Sequence, residues 1–297
     1  MKLEEIKRIA SSDEFWRLSS GDHLNMIDTL LEIVEELKTT AEKHDAGNTV
    51  DRKINVLDKG YVRLCRVGGD DLTVVNAARV SYAKESKELT EKDIRLIKFL
   101  AREGHTSPFR HVMFWFEIYA PLMIARQWWK YVVGSDHTME AWNEASRRYI
   151  TITPEWYVPK PTEWRKKPKH SKQGSDGYVN EEIGKEATRR LINQLERNIK
   201  DYEWALEQGI APEQARLLLP SAYGLYTCWR WTASLQSVAH MLNQRLAKDA
   251  QAEFQAYARA VYWLVYPYVK HSLRELVKEG PGEDIKHLMQ ERDGDEQ

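Results

Sequence analysis

The stretch from Ile54 to Val67 constrains the fold most. INVLD, a Lys59-Gly60 turn and then YVRLCRV with alternating polarity make the pattern of a β-hairpin. The chain therefore holds a sheet, and the patterns around it are mostly helical. A helix is predicted from about Asp71 through Ser81. Thr90 opens another, with Asp93 three residues on as its capping-box partner, and Gly104 ends it. After the loop HTSPFRH, the aromatic run VMFWFEIYA reads as β. Pro121 then starts a short helix in PLMIARQWWKY.

Pro154 to Gly177 reads as loop and carries the basic run Arg165-Lys166-Lys167-Pro168-Lys169-His170. The remainder reads as helical: Asn180–Gln208, a short helix after Pro212, Ser234–Leu246, and Ala250–Lys278, which Pro267 should kink or divide. Residues 1–45 read as two helices. Leu24, Ile27, Leu31, Val34 and Leu37 form one apolar stripe on the second. His44–Lys53 then looks like a linker, so residues 1–50 are expected to be a helical N-terminal extension and 51–297 the main domain. The expected class is α+β, with a small, mainly antiparallel sheet built early and helices around it.

With 297 residues and a formal net charge of -1, the chain lacks the basic excess of a nucleic-acid binder. Its two cysteines, Cys65 and Cys228, are too few for a disulfide framework and suit a reducing cytosol. The N-terminus has no signal-peptide core, and no apolar run approaches the ~20 residues of a membrane helix. A soluble cytoplasmic protein without a membrane partner is expected. The 11 Trp and 14 Tyr fit core packing or stacking walls for flat ligands, and composition leaves both readings open.

There is no glycine-rich phosphate loop, so a phosphate site would have to be built from side chains, for which arginine is suited. One arginine cluster is NEASRRY, with Asn143, Glu144, Ser146, Arg147 and Arg148; for a generic sequence it reads as a solvated turn or helix start. Arg216 and Arg245 lie on helices among apolar residues, as anchors of ion pairs often do. Cys228 among aromatics reads as core filler and not as a nucleophile. His105 and His111, without a third ligand, make a poor metal site, and no metal is expected. The basic run 165–170 reads as a solvated loop.

The segments DKGYVRLCRVGGDDL, NAARVSY, EGHTSPFRHVMFWFEI, APLMIARQWWKY, WNEASRRY, EWYVP, ARLLLPSAYGLYTCWRWT and NQRLAKDAQAEFQAYA run collinearly from about Val56 to Tyr257. In order and spacing they resemble the flavin-dependent thymidylate synthase family. The resemblance implies a homotetramer with active sites between subunits. It also implies FAD as cofactor, NADPH and methylenetetrahydrofolate as co-substrates, and methylation of dUMP to dTMP without a cysteine nucleophile. By position it implies that dUMP is held by Gln127, Lys130, Glu144, Ala145, Ser146, Arg148, Arg216 and Arg245, with Arg147 near it through its backbone. Arg245, Glu144 and Ser146 would be the catalytic residues. Ser81, His105, Ser107, Lys130, Tyr131, Val132, Asn143, Ser234 and His240 would lie at the flavin.

The chain departs from the family where Arg-His-Arg usually follows the Arg-Gln-aromatic-aromatic step. Here Arg126-Gln127-Trp128-Trp129 leads into Lys130-Tyr131-Val132, then an insertion from Gly134 to Ala141 that carries Asp136 and His137. Lys130 keeps a charge without the bidentate fork, Tyr131 offers a ring to stack on the flavin, and Val132 drops a charge. Ser234, Gln236, His240 and Asp249 also replace the usual polar groups. Alternatives of the same fold are a UMP/dUMP methylase or hydroxymethylase and a non-catalytic nucleotide-binding homologue.

Overall fold

The hairpin forms where alternation predicts it. Strand β1 (Thr49–Val56) is followed by a turn over 57–59 and by β2 (Gly60–Gly68). Residues 49–53 thus extend a strand and are not linker. Leu57 adopts φ 59° in the turn, while Gly60 is the first residue of β2. Its lack of a side chain serves packing: a Cβ there would lie 1.8 Å from the Tyr257 hydroxyl. The structure, a computed structural model, describes residues 49–133, 141–145, 154–169, 174–219 and 224–281. The helices expected over 1–45 lie outside the described residues. The chain divides into two compact units, Met1–Val50 and Asp51–Gln297.

Helix α1 (Asp71–Arg79) runs on into a 3-10 turn at Val80–Tyr82, and α2 (Glu91–Arg102) starts at the Thr90 cap. The capping box is complete: the Thr90 amide donates to Asp93 Oδ2 at 3.0 Å, and the Asp93 amide to Thr90 Oγ1 at 3.4 Å. Asp93 is buried and also meets Arg79 and Ser86, tying α1 to α2. Strand β3 (Met113–Pro121) leads directly into α3 (Leu122–Val133). Pro121 closes the strand opposite Tyr226 and is not the first helical residue; hydrogen bonding resumes from the Leu122 amide to Leu225 O at 2.8 Å.

Two further strands lie where none was expected, one at the start of the cluster read as a turn or helix start and one between the helices expected after Pro212 and from Ser234. They are β4 (Ala141–Glu144) and β5 (Tyr226–Ser234), which give a five-stranded sheet of order β1-β2-β3-β5-β4. The β2–β3, β3–β5 and β5–β4 pairs are antiparallel. The sheet is therefore not complete early, because β5 arrives after residue 225 and pairs along the whole of β3. Trp229, Trp231 and Ala233 are buried, whereas Arg230 is exposed and Thr232 half-buried between them, which is the alternation of a strand with one buried face. On the other face, Glu117 faces Arg63 and Arg230 in register, and Arg230 Nη2 meets Glu117 Oε2 at 2.6 Å.

The remaining helices are α4 (Glu181–Glu207), α5 (Pro212–Ala215), α6 (Leu235–Arg245), α7 (Ala252–Val265) and α8 (Lys270–Leu276). Pro267 divides the last stretch between α7 and α8, as expected. The core joins the inner sheet face to α3 and α7 through aromatic rings, and to α6 through aliphatic side chains. Trp128 of α3 is fully buried and packs against Trp229, Trp231, Phe254 and Tyr257. Among the described residues, no helix is long and apolar enough to cross a membrane.

Candidate functional site

Helix α3 presents Met123, Gln127 and Tyr131 at four-residue steps, on one face, while Trp128 locks the neighbouring face into the core. The end of α6 brings Gln244 and Arg245 to this face, and the start of α7 brings Gln251. A cavity of about 540 Å³ opens where they meet, lined by Gln127, Arg165, Ser175, Gln244, Arg245 and Gln251 among others.

Arg245 is held by uncharged groups. Its Nε donates to the Tyr131 hydroxyl at 2.6 Å and its Nη1 to Gln127 Oε1 at 3.1 Å. The guanidinium also lies over the rings of Phe254 (4.9 Å) and Tyr131 (5.5 Å). Burial pushes the Tyr131 hydroxyl above its ordinary pKa, although Arg245 pulls it down, so at neutral pH it keeps the proton it donates to Gln244 Oε1 at 2.8 Å. Among the described residues no carboxylate lies within ion-pair reach of Arg245. The second arginine on the cavity wall, Arg165, is neutralised by Glu253 at 2.5 Å. One cation in the cavity is thus committed and the other is available to an anion.

Arg165 reaches the cavity on a segment whose described residues are hydrogen-bonded. The Lys166 amide donates to Gly177 O and the Asp176 amide to Lys166 O, both at 3.0 Å, pairing Lys166 with 176–177. Helix α4 anchors it: Thr188 Oγ1 accepts from Trp164 Nε1 at 2.8 Å and donates to Pro159 O at 2.9 Å. Gly184 permits this approach, since a Cβ there would sit 1.8 Å from Pro161 O.

Strand β4 carries the start of the NEASRRY cluster. Trp142 stacks on Trp229 (4.7 Å, 20°) and meets Trp129 edge-on at 5.2 Å, which fixes this short strand to β5 and α3. Asn143 pairs with Arg230, and Glu144, exposed, accepts from Thr227 Oγ1 at 2.7 Å. The Ala145 amide donates to Cys228 O at 2.8 Å. Ser146, Arg147 and Arg148 lie outside the described residues, as do Asp136, His137 and the side chain of Val132.

The structure therefore joins Gln127, Tyr131 and Arg245 and places other expected residues elsewhere. Lys130 is exposed on α3. His240 is exposed one helical turn before Gln244, with its ring 5.8 Å from that of Tyr131. Ser234 is buried as the cap of α6 and accepts from the Ser237 amide at 3.3 Å. Ser81, His105 and Ser107 are exposed on segments flanking α1 and α2. Arg216 is exposed in a 3-10 turn after α5, its Nε donating to Glu213 O at 3.1 Å. Cys228 is half-buried, and burial raises its thiol pKa, as does nearby Glu117, so it is a thiol at neutral pH. Sequence reading assigned no role to Gln244, Gln251 or Glu253, and took Arg165 as solvated. Glu253, a carboxylate at 5% exposure on a largely apolar helix, is the kind of residue that asks for a partner.

The fold and cavity define an α+β protein with a half-buried guanidinium on the wall of a cavity. Residues 63–269 match the thymidylate synthase complementing protein family, and the chain belongs to that family. The flavin-dependent thymidylate synthase of Thermus thermophilus is 42% identical over 212 residues, covering 71% of this chain and 73% of that protein. The enzyme of the same name from Thermosipho africanus is 39% identical over 203 residues, covering 68% and 84%. Among solved structures, the UMP/dUMP methylase PolB from Streptomyces cacaoi, bound with 5-Br dUMP, superposes with a TM-score of 0.64 at 26% identity, covering 76% of this chain and all of that one.

Proposed function

We propose that this protein is a flavin-dependent thymidylate synthase, which methylates dUMP to dTMP with FAD as cofactor, methylenetetrahydrofolate as carbon donor and NADPH as reductant. The observation that carries the reading is Arg245: a half-buried guanidinium, fixed by Gln127 and Tyr131 and unpaired with any described carboxylate, in a chain of this family. Gln127 and Arg245 hold the anionic end or the base carbonyl of the nucleotide. Glu144 accepts from the uracil edge beside Ser146, and Lys130, Arg148 and Arg216 add positive charge, with Arg147 and Ala145 contributing backbone.

The residues present fit a flavin. Ser81 sits between Val80 and Tyr82, which are 74% and 77% exposed, and His105 lies edge-on to the exposed Phe99, so apolar surface flanks the polar groups as a flat ring requires. Ser81, His105, Ser107, Lys130, Tyr131, Val132, Asn143, Ser234 and His240 are the residues assigned to it. FAD, when bound, mediates the reductive transfer of the folate methylene. Cys228 takes no part.

Glu144 and Arg216 do not line the Arg245 cavity, and a second copy of the chain could bring them to it. This supports a homotetramer with shared sites. A visible absorbance titration tests the reading: FAD should be retained and its band should shift when dUMP is added. Absence of any bound flavin would refute it. Equal turnover of UMP and dUMP would favour the methylase alternative.

A further inference from the structure

We infer that Glu253, through Gln251, is a positioning residue that sets the orientation of the Gln127 amide and hence of Arg245 at the nucleotide site; this rests on the function proposed above. Glu253 is buried, and as a carboxylate it only accepts. Its Oε1 takes the Arg165 guanidinium and its Oε2 the Gln251 Nε2, at 3.0 Å. That fixes which end of the Gln251 amide points inward, because the nitrogen must face the acid. Gln251 Oε1 is then left to accept from Gln127 Nε2 at 2.7 Å. Gln127 Nε2 also donates to Met123 O at 3.1 Å, which reinforces the same orientation. Gln127 Oε1 is thereby turned to Arg245, a group that only donates.

The chain of bonds has an acceptor-only end and a donor-only end, so just one setting of the two amides satisfies every member. Reversing either amide would put two N–H groups face to face. Arg165 neutralises Glu253 at the far end, leaving the positive charge of Arg245 to the cavity. The relay therefore orients Arg245 without consuming its charge. None of Arg165, Gln251 or Glu253 needs to touch the nucleotide for this effect.

The test is equilibrium binding of dUMP to the FAD-loaded protein, read from the flavin band. Glu253→Gln introduces a donor at the acceptor end and should weaken dUMP binding about tenfold, the effect of one lost hydrogen bond to a charged group. FAD affinity should stay close to that of the wild type, while the melting temperature should fall because Arg165 loses its buried partner. Glu253→Asp keeps the acceptor and should recover most of the loss. Gln251→Ala, at a half-exposed position that does not threaten folding, should reproduce the defect of Glu253→Gln. Wild-type dUMP affinity in both Glu253→Gln and Gln251→Ala would overturn the inference, as would a loss in Glu253→Asp equal to that in Glu253→Gln. A wild-type protein that fails to bind dUMP would instead overturn the function on which it rests.

Discussion

Arg245 separates geometry from charge. A lysine in its place keeps the cation but carries all its donors on one nitrogen, so it cannot reproduce the separate Nε and Nη1 contacts to Tyr131 and Gln127. Arg245→Lys should raise the KM for dUMP by about tenfold or more, with little change in melting temperature. Initial-rate kinetics and a thermal melt check both parts. Glu144→Gln should abolish methylation and leave assembly intact; full turnover would displace the nucleotide site from β4. The thiol of Cys228 predicts the opposite behaviour. Burial keeps it protonated, so Cys228→Ala should retain turnover, and loss of activity in a folded variant would restore a nucleophilic role.

Among the elements, β4 depends most on its context. Four residues are too short for periodicity to declare a strand, and AWNE becomes one because Trp142 stacks on Trp229 and meets Trp129. Trp142→Ala should cost about 1–2 kcal/mol and lower dUMP turnover more than stability, since Glu144 loses its seat; urea melts beside kinetics would show the split. β5 is a different omission. Its burial alternates and its Tyr, Thr and Trp content favours a strand, yet it follows helical segments and its partner β3 lies more than a hundred residues earlier. By contrast, the hairpin, the Thr90 box and the break at Pro267 rest on local chemistry and were legible. Gln127 and Arg245, which the family resemblance groups, also meet in space. The role of Glu253 was not legible, because it depends on Arg165 and Gln251 meeting it in space. The Thr90 box also makes a pH prediction. Burial pushes Asp93 up, but hydrogen bonds from Thr90, Arg79 and Ser86 outweigh it and hold the carboxyl at about 2. With the folded value below the unfolded one, this stabilisation is full above a pH of about 4 and is lost as pH falls toward 2. Asp93→Asn should therefore cost roughly 2 kcal/mol at neutral pH, with the gap to wild type narrowing in acid.

For the whole molecule, the proposal to test is that a second copy of the chain completes the site. Gln127 and Arg245 line one cavity, whereas Glu144 on β4 and Arg216 beyond α5 are not among its lining residues. If a neighbouring copy supplies the missing side chains, two inactive variants should complement each other. Arg245→Ala and Glu144→Gln proteins, dissociated and reassembled together, should regain activity that neither has alone. Persistent inactivity of the mixed assembly would place the whole site within one subunit.

The most direct test is product formation from dUMP by purified protein supplied with FAD, methylenetetrahydrofolate and NADPH, with each left out in turn. The account predicts dTMP only when all are present, and much less product when UMP replaces dUMP. Binding of flavin and dUMP with no dTMP formed under the complete conditions would contradict it.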